Sequence, residues 1–259
     1  MTNQNIELVT RRSLLYKSEV EYADYCINHV GGCAHGCTSP CYAFLMAKRA
    51  GRVRTYEEWR RPKLVANALE LLDKEIPRFR RDIKSVHLCF TTDPFMYGYE
   101  QVTEMTLKII AKLHANGIKC TTLTKGITPS ELTRTEEYGS ENEYGITLVS
   151  LNPDFRERFE RGSAPYQERV SALRRLHEAG LRTWVSMEPY PTPNLVEQRL
   201  EDVLQAIDFA DRIVFGKLNY SKDSNRYPKR EEFYQEAALA VKDFCRTRRK
   251  ECHIKGENQ

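Results

Sequence analysis

Apolar positions along this chain fall into two alternating textures. Short runs rich in β-branched and aromatic residues recur: YCINHV (25–30), SVHLCF (85–90), KCTTLT (119–124), YGITLVSLN (144–152), RTWVSME (182–188) and RIVFGKL (212–218). Runs of this kind predict buried strands. Between them the apolar spacing shifts to the 3.6-residue period of a helix. PKLVANALELLDKEI (62–76) sets Leu64, Ala68, Leu71, Leu72 and Ile76 on one broad stripe. VTEMTLKIIAKLHANG (102–117) and YQERVSALRRLHEAG (166–180) both run to a glycine, a helix-stop signal. LVEQRLEDVLQAIDFA (195–210) and REEFYQEAALAVKDFCRTRR (230–249) complete the helical set.

Strands alternating with helices at this spacing imply an α/β fold, a parallel sheet with helices outside it. The expected architecture is a partial (β/α)6 TIM-type barrel with parallel strands. No linker, repeat or low-complexity tract divides the chain, so residues 1–259 read as one domain. Its core spans about 25–220, with a C-terminal helix and basic tail over about 229–259. In such folds functional residues gather where strands end. The expected rim carries GGCAHGCTSPCYAF (31–44), TTDPF (91–95), Lys125, Ser150 and Asn152, Glu188, then Lys217 and Asn219. Each alone is what strand ends ordinarily carry. Convergence beside three thiols is what points to function.

Composition narrows the class. With 41% hydrophobic and 29% charged residues, the chain is neither disordered nor fibrous. No run approaches the roughly 20 apolar residues that span a bilayer, and the N-terminus lacks a signal-peptide pattern. The expected compartment is the cytoplasm, with no membrane partner. Thiols stay reduced there, so clustered cysteines suggest metal binding or catalysis rather than cross-links. A net charge of +4 is mild. RTRRK (246–250) reads as a solvated helix end, and charge alone does not demand a nucleic acid.

Cys33, Cys37 and Cys41 stand at even steps of four. Three thiolates are one short of a closed zinc site. His35 is the nearest fourth donor, although Cys33-x-His35 makes chelation of one ion awkward. Cys26, Cys89, Cys120, Cys245 and Cys252 read for the most part as small buried hydrophobes. The other reading is a [4Fe–4S] cluster, which ordinarily takes four thiolates; three would leave one iron open to another ligand. Gly31, Gly32 and Gly36 suit a loop that wraps tightly around such a group.

A three-cysteine loop after the first strand of a six-unit β/α barrel resembles the radical SAM enzymes. The sequence is most similar to their spore photoproduct lyase-like branch, whose loop reads roughly C-x-H-x-C-x-Y-C-Y. Cys33, His35, Cys37, Cys41 and Tyr42 match that order. Further matches are TTDPF, LTKG (123–126) and SLNPDFRERFERGSAPYQERVSALRRLHEAG (150–180), and the resemblance covers about residues 25–190. Two departures stand out. TSP puts three residues between Cys37 and Cys41 where the branch has two, with Pro40 where a tyrosine is common. Phe90 occupies the place of the lyase's hydrogen-donating cysteine, and Cys89 sits one step back.

The resemblance implies that Cys33, Cys37 and Cys41 hold a [4Fe–4S] cluster whose open iron binds S-adenosylmethionine. Reductive cleavage to a 5′-deoxyadenosyl radical then abstracts hydrogen from a substrate, nucleic acid or nucleotide being one class. It further implies Thr92 and Asp93 at the methionine amino group, Lys125 at its carboxylate, and Ser150 and Asn152 at the ribose hydroxyls. Tyr42 is expected near the adenine or the radical path, and Glu188 against the cosubstrate or its own loop. Tyr42 and Cys89 are the catalytic candidates, and an electron donor of flavodoxin or ferredoxin type is the expected partner. Phe95, Met96, Tyr97 and Tyr99 read as packing more than as a pocket wall. Arg156, Arg158, Arg161 and Arg169, interleaved with Glu157, Glu160 and Glu168, suit exposed helix ion pairs or phosphate binding. The competing reading is a non-enzymatic zinc- or Fe–S-binding nucleic-acid module, for which the polar rim would be superfluous.

Overall fold

In the computed structural model, which describes residues 5–18, 22–38 and 41–256, strand faces sort by side-chain chemistry. Leu88, Ile146, Val185, Ile213 and Phe215 are almost wholly buried and join one core with the helices. Residues one step along, such as His87, Thr121 and Trp184, turn to the inside of the curved sheet, as the two-residue period of a strand requires.

In chain order the strands are β1 (Glu7–Val9), β2 (Leu15–Lys17), β3 (Tyr25–Ile27), β4 (Val30–Gly31), β5 (Lys63–Val65), β6 (Ser85–Leu88), β7 (Lys119–Thr124), β8 (Glu143–Thr147), β9 (Arg182–Tyr190), β10 (Arg212–Lys217) and β11 (Glu251–Ile254). The helices are α1 (Tyr42–Arg49), α2 (Tyr56–Trp59), α3 (Ala68–Phe79), α4 (Glu100–Ala115), α5 (Thr135–Tyr138), α6 (Pro153–Phe159), α7 (Tyr166–Glu178), α8 (Leu200–Ala206), α9 (Lys222–Asn225) and α10 (Arg230–Thr247).

β3, β6, β7, β8, β9 and β10 pair in parallel in that order, which is the expected six-strand partial barrel. Two strands extend it. β2 pairs antiparallel with β3, and β11 pairs parallel with β10. The sheet therefore runs from β11 to β2, and its open flank lies between those two edges.

Several boundaries differ from the sequence reading. YCINHV is not one strand: β3 stops at Ile27, and Val30–Gly31 joins a second sheet of order β1-β5-β4. The break falls at His29, whose buried ring is bonded to Thr106 on α4 at 2.8 Å. The predicted helix over 62–76 begins as strand β5 and turns helical only from Ala68, because Leu64 and Val65 pair across to β1 and β4. β8 ends at Thr147, which leaves Ser150 and Asn152 in the loop beyond it. The predicted helix over 195–210 shortens to Leu200–Ala206, since Leu195 closes a turn onto Thr192 and Gln198 donates to the Val149 carbonyl. Residues 246–249 form the expected solvated helix end, with Arg246 in the last turn of α10, and Lys250 departs from it. Lys250 Nζ donates to the carbonyls of Asp208 and Ala210, and the chain returns as β11. Of the five cysteines outside the loop, Cys252 is exposed rather than buried. Among the described residues no helix is long and apolar enough to cross a membrane.

Candidate functional site

The cysteine loop leaves β4 and ends at Cys41, directly before α1. Its backbone is pinned from three directions. Cys33 N–H donates to the Trp59 carbonyl (2.9 Å), Thr38 N–H to the Phe159 carbonyl (3.0 Å), and Gly162 N–H to the His35 carbonyl (2.8 Å). The Tyr56 hydroxyl donates to the Cys37 carbonyl. Gly32 and Gly36 take φ of +78° and +67°, which a side chain would strain. Gly162 makes a closer fit, because a Cβ there would lie 2.4 Å from the Ala34 carbonyl oxygen. Ser39 and Pro40, the site of the extra residue, lie outside the described residues.

His35 is not a metal ligand in this arrangement. Its Nε2 accepts the Tyr97 N–H at 3.0 Å, so the proton sits on Nδ1, 3.4 Å from Asp93. Burial holds the ring neutral by lowering its pKa, against the pull of Asp93. Among the described residues no three histidine, cysteine or carboxylate side chains can hold a single ion.

Asp93 organises the rim instead of facing outward. It is 4% exposed. Oδ1 accepts from the Thr124 hydroxyl (2.6 Å) and the Phe95 N–H (2.9 Å), and Oδ2 from the Lys125 N–H (2.7 Å). Those bonds tie the end of β7 to the TTDPF turn. Gly126 completes the join: a Cβ there would come within 1.7 Å of the Phe95 carbonyl oxygen. Protein donors therefore hold both oxygens of Asp93, the residue expected at the methionine ammonium group.

Lys125 likewise has partners already. Its Nζ lies 3.6 Å from Cys37 Sγ and 2.5 Å from Glu160 Oε1. Glu160 Oε2 is 3.1 Å from Arg169 Nη2, and Arg169 spends its other donors on Ser163 and the carbonyls of Ala164 and Thr147. Glu160 and Arg169 are 2% and 0% exposed, so the expected surface ion pairing is wrong for both. Burial opposes the Glu160 charge, yet Lys125 and Arg169 overcome it and bring the carboxyl down to about 2. Burial also disfavours the Lys125 charge, and Cys37 and Glu160 more than restore it. Without metal, burial pushes the Cys37 thiol up to about 11 against the pull of Lys125. Burial raises Cys33 further, assisted by Asp93 and Cys37. A cationic metal group is what would let these buried, mutually repelling thiols ionise together.

The other expected residues divide. Tyr42 opens α1 half-exposed, and its hydroxyl donates to the Phe90 carbonyl at 2.7 Å. Phe90 itself, with Tyr22, His87 and Trp184, lines the inside of the barrel, ring centroids 5.1–6.5 Å apart. Glu188 reaches Lys255 of the C-terminal strand end at 2.7 Å, and Lys255 lies over the Tyr22 ring. Thr92 donates to the Val30 carbonyl (3.2 Å). Ser150 Oγ accepts the Asn152 N–H, and Asn152 Oδ1 caps α6 at Asp154, so both serve their own loop. Cys89 is turned away from the barrel interior. Its backbone adopts φ +60°, and its thiol sits 3.5 Å from His29 Nδ1 among Val30, Leu64, Met96, Tyr99 and Val102. Burial lifts that thiol to about 12. Cys89, a catalytic candidate from the sequence, thus stands apart from the ring-lined interior. Phe95, Met96 and Tyr99 are packing residues, as expected, being nearly buried.

Residues 27–207 match the family model described as the Radical SAM superfamily. The chain belongs to the radical SAM superfamily. As a radical SAM enzyme it has a viral relative, the uncharacterized protein ORF301 of Acidianus two-tailed virus, 25% identical over 211 residues, covering 78% of this chain and 69% of that protein. Among solved structures it is similar to spore photoproduct lyase complexed with dinucleoside spore photoproduct, with TM-score 0.69, 17% identity, and coverage of 95% of this chain and 80% of that one. The radical S-adenosylmethionine methyltransferase TsrM from Kitasatospora setae matches at TM-score 0.51 and 16% identity over 73% of this chain and 35% of that one. These structural likenesses agree on the partial-barrel fold.

Sequence reasoning missed Glu160, Gly162 and Arg169 as site residues, and Tyr22 and Lys255 altogether. The first three lie in the 150–180 stretch that carries the family resemblance. Tyr22 and Lys255 carry no motif and meet only because the two sheet edges face each other. A separate groove of about 680 Å³, lined by His177, Asp211 and Arg248, opens where β9 and β11 begin, at the opposite end from the cysteine loop.

Proposed function

We propose that this radical SAM enzyme holds a [4Fe–4S] cluster on Cys33, Cys37 and Cys41, binds S-adenosylmethionine on the strand-end rim, and abstracts hydrogen from a substrate in the ring-lined barrel. The carrying observation is the Lys125 ammonium 3.6 Å from Cys37 Sγ, beneath a loop in which desolvation raises the Cys33 and Cys37 thiols. When bound, the cluster and S-adenosylmethionine supply one-electron cleavage of a sulfonium and the hydrogen abstraction that follows.

The chain's own residues supply charge, orientation and exclusion of water. Lys125 offsets the thiolate charge at Cys37, with Glu160 and Arg169 fixing its position. An ammonium carries three donors; two face Cys37 and Glu160, and the third suits the methionine carboxylate. Asp93 acts on the cosubstrate indirectly, by holding Thr124 and Lys125. Thr92 remains the rim residue nearest that turn. The Ser150 hydroxyl proton and the Asn152 amide nitrogen suit ribose hydroxyls, since their oxygens are the atoms bonded in the loop. Tyr42 stands between the cysteine loop and Phe90, a position suited to adenine. Glu188, with Lys255, borders the substrate space.

Bases stack on aromatic faces with little dependence on sequence, and the partly exposed rings of Tyr22 and Phe90 favour a planar substrate such as a nucleotide. Phe90 in place of a thiol, with Cys89 turned away, argues against the reaction of spore photoproduct lyase. A flavodoxin- or ferredoxin-type protein is the reductant we infer, with the cytoplasm as the compartment.

Anaerobic reconstitution tests the reading. Iron and sulfide near four each per chain are expected, with an electron paramagnetic resonance signal that changes when S-adenosylmethionine is added. Cys41→Ala should lose both the signal and cleavage of the cosubstrate. Colourless protein that takes up only zinc would overturn it.

A further inference from the structure

Helix α1 starts one residue after Cys41, so its outer face borders the cysteine loop. Ala43 and Ala47 turn inward against Trp59. Leu45, Met46 and Arg49 lie together on the exposed side of α1, while Tyr42 is turned to the Phe90 carbonyl. Leu45 and Met46 are 43% and 56% exposed. No other helix among the described residues presents more than one large exposed apolar side chain. Lys48, Arg49, Arg52 and Arg54 surround this stripe, all exposed, and residues 42–54 contain no acidic side chain. Glu57 and Glu58 follow on α2, with Glu58 turned back to accept the Arg54 N–H.

An apolar centre of leucine and methionine, with arginines around it, matches a protein–protein interface. Nucleic-acid surfaces are more uniformly polar and positive. The uncompensated positive rim calls for an acidic partner, and complementary charge speeds encounter and sets orientation. We propose that the α1 face docks an acidic one-electron donor protein, with Cys41 beneath it as the nearest ligand of the group to be reduced. This rests on the radical SAM reading above.

The test uses the reconstituted full chain, reduced flavodoxin as probe, and two independent surface variants, Leu45→Glu and the pair Arg49→Glu with Arg52→Glu. Flavodoxin binding should weaken about tenfold or more in each, and the charge-reversed pair should lose the parent's salt dependence. Flavodoxin-driven cleavage of S-adenosylmethionine should fall in step. Iron content and dithionite-driven cleavage should match the parent, since a chemical reductant needs no docking site. Unchanged flavodoxin binding in both variants overturns the proposal, as does loss of oligonucleotide binding in place of flavodoxin binding. A parent chain with no cluster, or no dithionite-driven cleavage, defeats the radical SAM reading instead. Flavodoxin binding to that same parent and its variants still judges the docking face.

Discussion

Glu160 is the residue at which surface reasoning and burial part. In FRERFERG (155–162) it looks like one member of an exposed Arg/Glu ladder. Helical spacing does not apply to it, because α6 ends at Phe159 and Glu160 takes φ −141° as the chain leaves the helix. Its carboxylate then reaches Lys125 and Arg169 in the interior. Breaking a buried pair strands the remaining charge, at a cost of about 3–5 kcal/mol, whereas an exposed pair is worth at most about 1 kcal/mol. Glu160→Gln should therefore lower the urea midpoint strongly and Glu157→Gln, at a half-exposed neighbour, hardly at all. Equal effects would show that Glu160 is solvated. Asp93→Ala belongs with the first class, since it strands the Thr124 hydroxyl and two backbone N–H groups, each costing about 1–3 kcal/mol.

Between elements, the cysteine loop takes its shape from neighbours far away in sequence. The α6–α7 turn presses on it through Gly162 and the Thr38–Phe159 bond. Gly162→Ala should lower both the melting temperature and the iron retained per chain after reconstitution. Gly180→Ala is the control. Its φ of +83° makes a side chain strained, but no atom lies within 4 Å. It should cost about 1 kcal/mol and leave iron content at the parent level. Retained iron in Gly162→Ala would show that the turn does not shape the loop. At this scale the strand cores and the long helices α4, α7 and α10 were legible, because each repeats its own period over enough residues. β4 and β5 were not. Two- and three-residue strands carry no period, and only pairing with β1 across the second sheet makes them strands.

For the whole molecule, acid sensitivity follows from two histidines buried on opposite faces of the barrel wall. Burial holds His29 and His87 down to about 3 each, so both are neutral when folded. Unfolded, they take up protons below about 6.5. Between those limits the unfolded chain binds more protons, so stability is lost as pH falls from about 6.5 toward 3. Each histidine should contribute roughly 1–2 kcal/mol of the loss between pH 7.5 and pH 5. Urea midpoints at the two pH values check this, with His87→Asn expected to flatten the slope. An unchanged slope in that variant would mean that His87 titrates alike in the folded and unfolded chain.

By itself the sequence determined the alternation of strand and helix, the parallel six-strand order that follows from it, and the cysteine loop at the first strand. Those are local properties, set by the direction in which successive side chains leave the backbone. Tertiary structure alone decided which charges are buried: that Lys125 meets Cys37 and Glu160, that Asp93 spends its oxygens on the rim, and that Cys89 faces away from the barrel. It also brought Lys255 over Tyr22 from opposite ends of the chain. Desolvation and pairing depend on everything that surrounds a group, and no window of neighbouring residues contains that information.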